Sequence, residues 1–411
     1  MVNFVDSVFL TYMFVGMYML VLFIFLYLPN RDNLFHHPKG RPEPVSIVMP
    51  CYNEGHQIGE AIDSLMKLDW PKDMMEIIIV DDKSKDNSVE VIKEYIKRYS
   101  NVRLIVNKRN SGGAAEPTNI GVKAAKYDYI AVADADSTPE REALMKMIGF
   151  LQKDDRVGGV TCAVMSKSPK NFMQRVQSIE YAIIAWNRKL LDLVGAVYVT
   201  PGPFALYRKK ILLEVGLFDT KNMTQDIEIV WRMLSYGYGA RMSLSTRVYS
   251  ATPLSFTKWF KQRIRWNIGG TQTLWKYKSL VLKRGMLGAF IIPFFCLSMF
   301  LGLFGLGLFI YLLFKRLTFW YLSTYYSLQG NAPLLYLQDL TFTPSLLNYL
   351  GGILFIAGAI FTIIGLGVMD QPRLGKGNIF NILFYMLIYL SIYPIIMITA
   401  LTKLITGKYS W

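Results

Sequence analysis

Four stretches of this chain are apolar and free of charged side chains, and they bracket a centre with a different rhythm. Residues 8–28 form one such stretch of 21 residues, long enough to cross a bilayer. Three more follow the centre, at 286–314, 346–369 and about 379–401. The first seven residues carry no basic side chain and no small-residue cleavage site follows, so the first stretch reads as a retained anchor and not as a signal peptide. Between the spans, short β-branched or apolar runs at 45–49, 76–80, 102–106, 129–132 and 157–164 predict strands. Helical periodicity at 58–68, 89–99, 119–126 and 140–150 falls between them. Strands alternating with helices predict an α/β unit with a mostly parallel sheet covered on both faces. Residues 172–193 predict a long helix with mixed faces, Pro201-Gly202-Pro203 forces a turn, and Asp226 opens a helix at 227–234. The plain role of an aspartate there is an N-terminal cap.

In open sheets of this kind ligands bind beyond the carboxyl ends of the strands. Asn53, Asp82, Asp134 and Asp136 all fall at such ends. Two carboxylates one residue apart on extended backbone point to the same side, and a hard cation such as Mg²⁺ or Mn²⁺ takes oxygen ligands that it usually shares with phosphates. Asp134 and Asp136 are therefore a candidate metal–diphosphate site. The competing reading is an acidic turn in which Asp136 caps the helix at 140–150, and the pair by itself does not decide.

Residues 255–276 differ in kind. Phe256, Trp259, Phe260, Trp266 and Trp275 are interleaved with Lys258, Lys261, Arg263, Arg265 and Lys276. As a helix this stretch would lie in a membrane interface, with Trp259 and Trp275 as anchors. Gln262, Arg265 and Trp266 share one of its faces at i, i+3 and i+4. Residues 316–336 are aromatic-rich and read as interfacial or re-entrant.

The net charge of +15 fits a membrane surface and an anionic substrate. No basic tract or aromatic-basic motif calls for nucleic acid. Cys51, Cys162 and Cys296 are widely separated, and His36, His37 and His56 are the only histidines, so neither a disulfide framework nor a histidine metal centre follows. Arg31, Lys39 and Arg41 after the first span, and Arg373 and Lys376 between the last two, place those sides in the cytoplasm. Lys403 and Lys408 in the tail run against that rule.

Five features in order, Pro50-Cys51-Tyr52-Asn53-Glu54, Val80-Asp81-Asp82, Asp134-Ala135-Asp136, Thr224-Gln225-Asp226 and Gln262-Arg263-Ile264-Arg265-Trp266, resemble the membrane-bound family 2 glycosyltransferases. That group contains hyaluronan, chitin, cellulose and poly-N-acetylglucosamine synthases and the ceramide glucosyltransferases. Gly202-Pro203 with Tyr207-Arg208 is similar to the hyaluronan and chitin type. The resemblance implies a GT-A catalytic domain with a Rossmann-like, mostly parallel sheet, joined to helical membrane spans. It implies inverting, metal-dependent transfer from a nucleotide-diphospho-sugar. Tyr52, Asn53, Glu54 and Asp82 would bind the nucleotide, Asp134 and Asp136 the metal, and Arg265 the diphosphate. Asp226 would be the general base, and Gln262 and Trp266 would face the acceptor. Two departures stand out: Ala114 occupies the place of a lysine in Gly-Gly-Lys-Ala, so a cationic donor contact is missing or comes from Lys108 or Arg109, and Gln225 stands where many relatives have glutamate.

The expected organisation is an anchor and linker at 1–43, a cytoplasmic catalytic domain at 44–250, amphipathic interface helices at 251–285, and membrane helices at 286–411. The leading expectation is a multi-pass cell-membrane enzyme extending a polysaccharide, with a homo-oligomer as one way to supply more spans. A single-addition transferase to a polyprenyl phosphate or glycolipid is the alternative. A non-enzymatic membrane scaffold or polymer channel is the third reading.

Overall fold

The computed structural model describes residues 4–330, 346–370 and 376–409. Helix α1 (Phe4–Tyr27) precedes the sheet. The α/β part then runs β1 (Val45–Cys51), α2 (Ile58–Met66), β2 (Met75–Asp81), α3 (Ser88–Arg98), β3 (Val102–Val106), α4 (Ala115–Ala124) and β4 (Tyr129–Ala133). It continues through β5 (Ser137–Pro139), α5 (Ala143–Lys153), β6 (Val157–Ser166), α6 (Phe172–Asp192), β7 (Phe204–Arg208), α7 (Lys209–Glu214), α8 (Gln225–Ser235) and β8 (Gly239–Ser250). Helices α9 (Phe256–Tyr277), α10 (Ile292–Gln329), α11 (Leu346–Val368), α12 (Lys376–Phe384) and α13 (Tyr393–Thr406) complete the chain.

The eight strands form one sheet in the order β3-β2-β1-β4-β7-β6-β8-β5. β1, β2, β3 and β4 are parallel, as their alternation with helices requires. β7 runs antiparallel to both β4 and β6, and β5 antiparallel to β8, so the sheet as a whole is mixed. β7 and β8 escape the apolar-run reading for a physical reason. β8 alternates Ala240, Met242 and Leu244 with Arg241, Ser243 and Ser245, a period of two that a search for apolar runs passes over. In β1, neighbouring Ile47 and Val48 are both fully buried because each face of the sheet is covered. Val45, Ile47 and Met49 pack with α2, α3 and α5. Val48, with Ile78 and Val132, belongs to a second core that continues through α6 and α9 into Leu366, Ile382, Tyr389 and Ile396 of the late apolar segments.

That continuity explains the mixed faces of α6. One side packs on β6 and β8, the other on α1, α11 and α12. Trp186, fully buried, stands at the junction, its ring 4.8 Å from that of Tyr27 and 5.7 Å from that of Phe361.

Four of the described helical segments are long and apolar enough to cross a membrane: Phe4–Asn33, Leu287–Gln329, Tyr349–Val368 and Asn378–Thr406. The second, at 43 residues, is about 64 Å long, twice a bilayer's hydrocarbon thickness. Residues 316–329 are therefore neither re-entrant nor a separate interfacial helix; with no proline or glycine from 308 to 329, the helix continues through them. Residues 331–336 of that stretch, and Arg373, lie outside the described residues.

Of the two tryptophans of α9 expected as anchors, Trp259 needs correction. Trp259 is fully buried against Tyr389, with ring centroids 4.6 Å apart, so it is core and not a lipid anchor. Trp275 is 71% exposed and carries Lys278 over its ring. α9 packs along α13 and α8 and keeps Phe256 and Trp275 exposed.

Candidate active site

The strand order places the site. β2 and β3 lie on one side of β1 and β4 on the other, and a crevice opens where the order reverses. The β1–β4 ladder ends at Val48 and Val132, while the β1–β2 ladder runs on to Cys51 and Asp81. The loop after β1 and the turn after β4 meet at that opening.

Asp134 and Asp136 lie just beyond β4, in a turn closed by the Ser137 amide donating to the Asp134 carbonyl at 3.1 Å. The chain then enters β5, and α5 begins only at Ala143, so Asp136 does not cap that helix. Both carboxylates line a cavity of about 550 Å³. The same cavity is lined by Asp226 and Gln225 at the start of α8, by Gln262, Arg265 and Trp266 of α9, and by Gly202 before β7. Six residues singled out from sequence thus share one wall-to-wall space although they are drawn from three separate segments.

The electrostatics are those of crowded carboxylates. Burial, reinforced by the charges of Asp136 and Asp226, pushes the Asp134 carboxyl up to about 8 against the pull of Arg265. Burial also raises Asp136, with the Ser137 hydroxyl at 3.1 Å acting in the opposite sense. At Asp226 the helix N-terminus works against burial: its Oδ1 accepts the Ile227 amide at 3.1 Å, and Arg265 and Arg188 attract its charge. Burial wins and holds the carboxyl above its ordinary value. Arg265 is desolvated in turn, and its Nη1 reaches the Met223 carbonyl at 3.5 Å.

Among the described residues, no three His, Cys, Asp or Glu side chains converge as a metal cluster. Two buried, mutually repelling carboxylates fit a hard cation that completes its shell with phosphate oxygens. Asp134 and Asp136 are the residues that would hold it. Gly202 presses on this pair: a Cβ there would stand 2.9 Å from Asp134 Oδ1 and 3.0 Å from Oδ2. Gly269 does the same for α9, where a Cβ would meet the Thr224 backbone nitrogen at 2.6 Å. Each glycine permits a backbone approach that any side chain would block.

Tyr52, Asn53, Glu54 and Asp82 do not line the cavity. Tyr52 is 42% exposed. Asn53 takes a left-handed conformation (φ 58°), and its side-chain oxygen accepts the Lys85 amide at 2.7 Å. Glu54 is raised chiefly by burial, with the charge of Asp136 adding and the Gln57 amide at 2.7 Å opposing, which ties this loop electrically to Asp136. Asp82 is buried, and its carboxylate accepts from Asn107 Nδ2 at 2.6 Å and from Ser111 through its amide (2.8 Å) and hydroxyl (2.7 Å). Asp81 accepts the Ser84 amide at 3.1 Å and so supports the turn.

Neither Lys108 nor Arg109, the alternatives to a lysine where Ala114 stands, reaches this cavity; Arg109 is 83% exposed and sits 4.0 Å from Glu116. The arginines that line it are Arg265 and Arg188. Arg188, on α6, is buried with an Nε that has no hydrogen-bond partner, and desolvation lowers its affinity for its proton. Sequence reading missed it because its only local signal is an Arg-Lys pair on a helix whose polar residues are spread over mixed faces.

The glycosyl transferase family 2 model matches residues 46–216. These residues form a family 2 glycosyltransferase domain. Of proteins similar to this chain, the poly-beta-1,6-N-acetyl-D-glucosamine synthase of Staphylococcus epidermidis is 31% identical over 268 residues, 64% of each chain. Its Staphylococcus aureus counterpart is 31% identical over 233 residues, 56% of each. The chain thus spans 64% of the length of the first of these relatives. A mannosyltransferase from Pyrobaculum calidifontis, solved with GDP-Man and Mn²⁺, superposes with a TM-score of 0.58 at 17% identity, covering 97% of this chain and 99% of that one. At that identity the likeness establishes the fold, a GT-A-like mixed sheet. The matched residues end before α8, β8 and α9, so Asp226 and the Gln262–Trp266 face come from beyond them.

Proposed function

We propose that this chain is an inverting, metal-dependent membrane glycosyltransferase that moves a sugar from a nucleotide-diphospho-sugar to a growing polysaccharide at the cytoplasmic face. The observation that carries the reading is the single cavity joining Asp134, Asp136, Asp226, Gln262, Arg265 and Trp266 beside the late apolar helices. The relatives named poly-N-acetylglucosamine synthases favour a nucleotide-activated N-acetylglucosamine as the donor, with UDP-GlcNAc the first to test.

Each residue has a physical task. Asp226 accepts the proton of the acceptor hydroxyl, whose oxygen forms the new bond to the anomeric carbon. The bond from that carbon to the diphosphate breaks, and the nucleoside diphosphate leaves with the electron pair. Arg265 holds the diphosphate with a planar fork suited to phosphate oxygens. Asp134 and Asp136 hold the divalent cation, which when bound acts as a Lewis acid toward the leaving group. Trp266 offers a ring face to the acceptor sugar and Gln262 a hydrogen bond. Tyr52, Asn53, Glu54 and Asp82 shape the nucleoside end.

A lipid-linked acceptor is the second reading, favoured by Phe295 and Met299 of α10, apolar side chains that line the same cavity. Purified protein incubated with Mn²⁺ or Mg²⁺ and radiolabelled nucleotide sugars separates the two by product size. Asp226→Asn lowers transfer by about 10²–10⁴-fold, the usual contribution of a general base, while UDP binding by calorimetry is retained. Substantial transfer by that variant removes Asp226 from its role. Absence of transfer from every donor by wild-type protein that still binds nucleotide sinks the enzymatic reading and favours a scaffold.

A further inference from the structure

α9 carries two arginines with opposite fates. Arg265 faces the cavity, whereas Arg263 turns away from it and is fully buried. Arg263 Nε donates to Glu180 Oε1 of α6 at 3.1 Å, and Nη2 donates to Oε2. Glu180 also accepts the Tyr389 hydroxyl at 2.6 Å and the Tyr393 hydroxyl. A carboxylate has about four lone-pair sites, and this one has four donors. The third guanidinium nitrogen, Nη1, donates to Gln262 Oε1 at 2.5 Å, and the guanidinium lies 3.9 Å from the centroid of the Trp266 ring.

The cluster therefore has two ends. At one end Arg263 grips Gln262 and Trp266. At the other, Glu180 is gripped by the last membrane-length segment. That segment is not a plain α-helix here: Tyr385–Tyr389 is a π turn and Leu390–Ile392 a 3₁₀ turn. Such turns recur at functional sites, and this pair brings both hydroxyls to one carboxylate. Tyr393 reaches further and lines the cavity itself. A buried ion pair is weak support for stability, since apolar replacements often serve as well. An apolar pair has no fork with which to orient an amide and a ring together.

We infer that Glu180, Arg263, Tyr389 and Tyr393 are positioning residues through which the last membrane segment fixes Gln262 and Trp266 on the acceptor side of the cavity. This rests on the reading of Gln262 and Trp266 as acceptor groups. Replacing the hydroxyls loosens the amide and the ring and leaves the nucleotide end untouched.

The test uses full-length protein in nanodiscs with UDP-GlcNAc, Mn²⁺ and an N-acetylglucosamine oligosaccharide. Tyr389→Phe with Tyr393→Phe keeps both rings and removes both hydroxyls. The expected result is a rise of about tenfold in acceptor KM, the scale of a lost hydrogen bond to a charged group. The KM for UDP-GlcNAc and the affinity for UDP stay within about twofold, since uniform loss and acceptor loss separate in this way. Amide exchange quickens in residues 262–269 and not in residues 45–51. Glu180→Gln gives the same split if it folds, and the volume-conserving tyrosine pair stands without it. An unchanged acceptor KM with unchanged exchange at 262–269 overturns the proposal, as does an equal rise in both KM values. Wild-type protein that binds UDP but releases none from UDP-GlcNAc refutes the transferase reading instead. The exchange measurement needs no turnover and then decides the coupling alone: quickened exchange at 262–269 supports it, and unchanged exchange overturns it.

Discussion

Gly269→Ala tests how closely α9 must approach the start of α8. The added Cβ would sit 2.2 Å from Thr224 Oγ1 and 2.6 Å from the Thr224 backbone nitrogen. The hydroxyl can rotate away; the nitrogen cannot. To restore ordinary contact at 3.4 Å the two segments must separate by about 0.8 Å. Arg265 and Trp266 lie four and three residues before Gly269, on the same side of α9, and Asp226 lies two residues after Thr224. The separation therefore falls between the diphosphate and acceptor groups and the proposed base. A misplacement of about 1 Å can lower a rate by roughly 10²-fold, so kcat should fall by about 10- to 100-fold. Stability falls by about 0–2 kcal/mol, because overpacking costs about 1–3 kcal/mol while glycine to alanine in a helix interior returns about 1 kcal/mol. The assay is UDP release from UDP-GlcNAc by purified wild-type and variant protein, with gel filtration as the check on folding. A folded Gly269→Ala protein with wild-type kcat would refute the argument that this contact sets the geometry of the site.

Gly202→Ala pushes a methyl into the Asp134 carboxylate, 2.9 Å away; the expected outcome is a weaker metal dependence of UDP binding, read by calorimetry with and without Mn²⁺. Arg265→Lys keeps the charge and loses the fork, and should raise the KM for UDP-GlcNAc by about tenfold with acceptor KM unchanged. Asp226 must be ionised to accept a proton, and burial raises its pKa. Transfer is therefore lost as pH falls through that raised value, and the acid limb of kcat lies above about 4, the ordinary aspartate value; a limb at or below it would show that the base is not this buried group.

Much of this protein is legible along the chain because its signals are local. The charge-free spans, the strands read at 45–49, 76–80 and 102–106, which extend to 45–51, 75–81 and 102–106, and the carboxylates at strand ends follow from short-range periodicity and turn chemistry. The spacing of Gln262, Arg265 and Trp266 alone predicts a shared helical face, and the same arithmetic puts Arg263 at its edge, three residues from Trp266. What faces Arg263 is another matter. Glu180 lies 83 residues earlier and Tyr393 130 residues later, and nothing in either neighbourhood names its partner. Arg188 likewise enters the cavity only because α6 is clamped between the sheet and the apolar helices. The mixed sheet is a tertiary outcome too: β7 pairs antiparallel with β4, and the chain enters it past Asp134 at Gly202, a close approach that glycine's missing side chain allows. Local sequence determined which groups could take part in the chemistry. Packing of distant segments decided which of them share one desolvated space, because burial and partner choice are properties of the assembled core and not of any short stretch of chain.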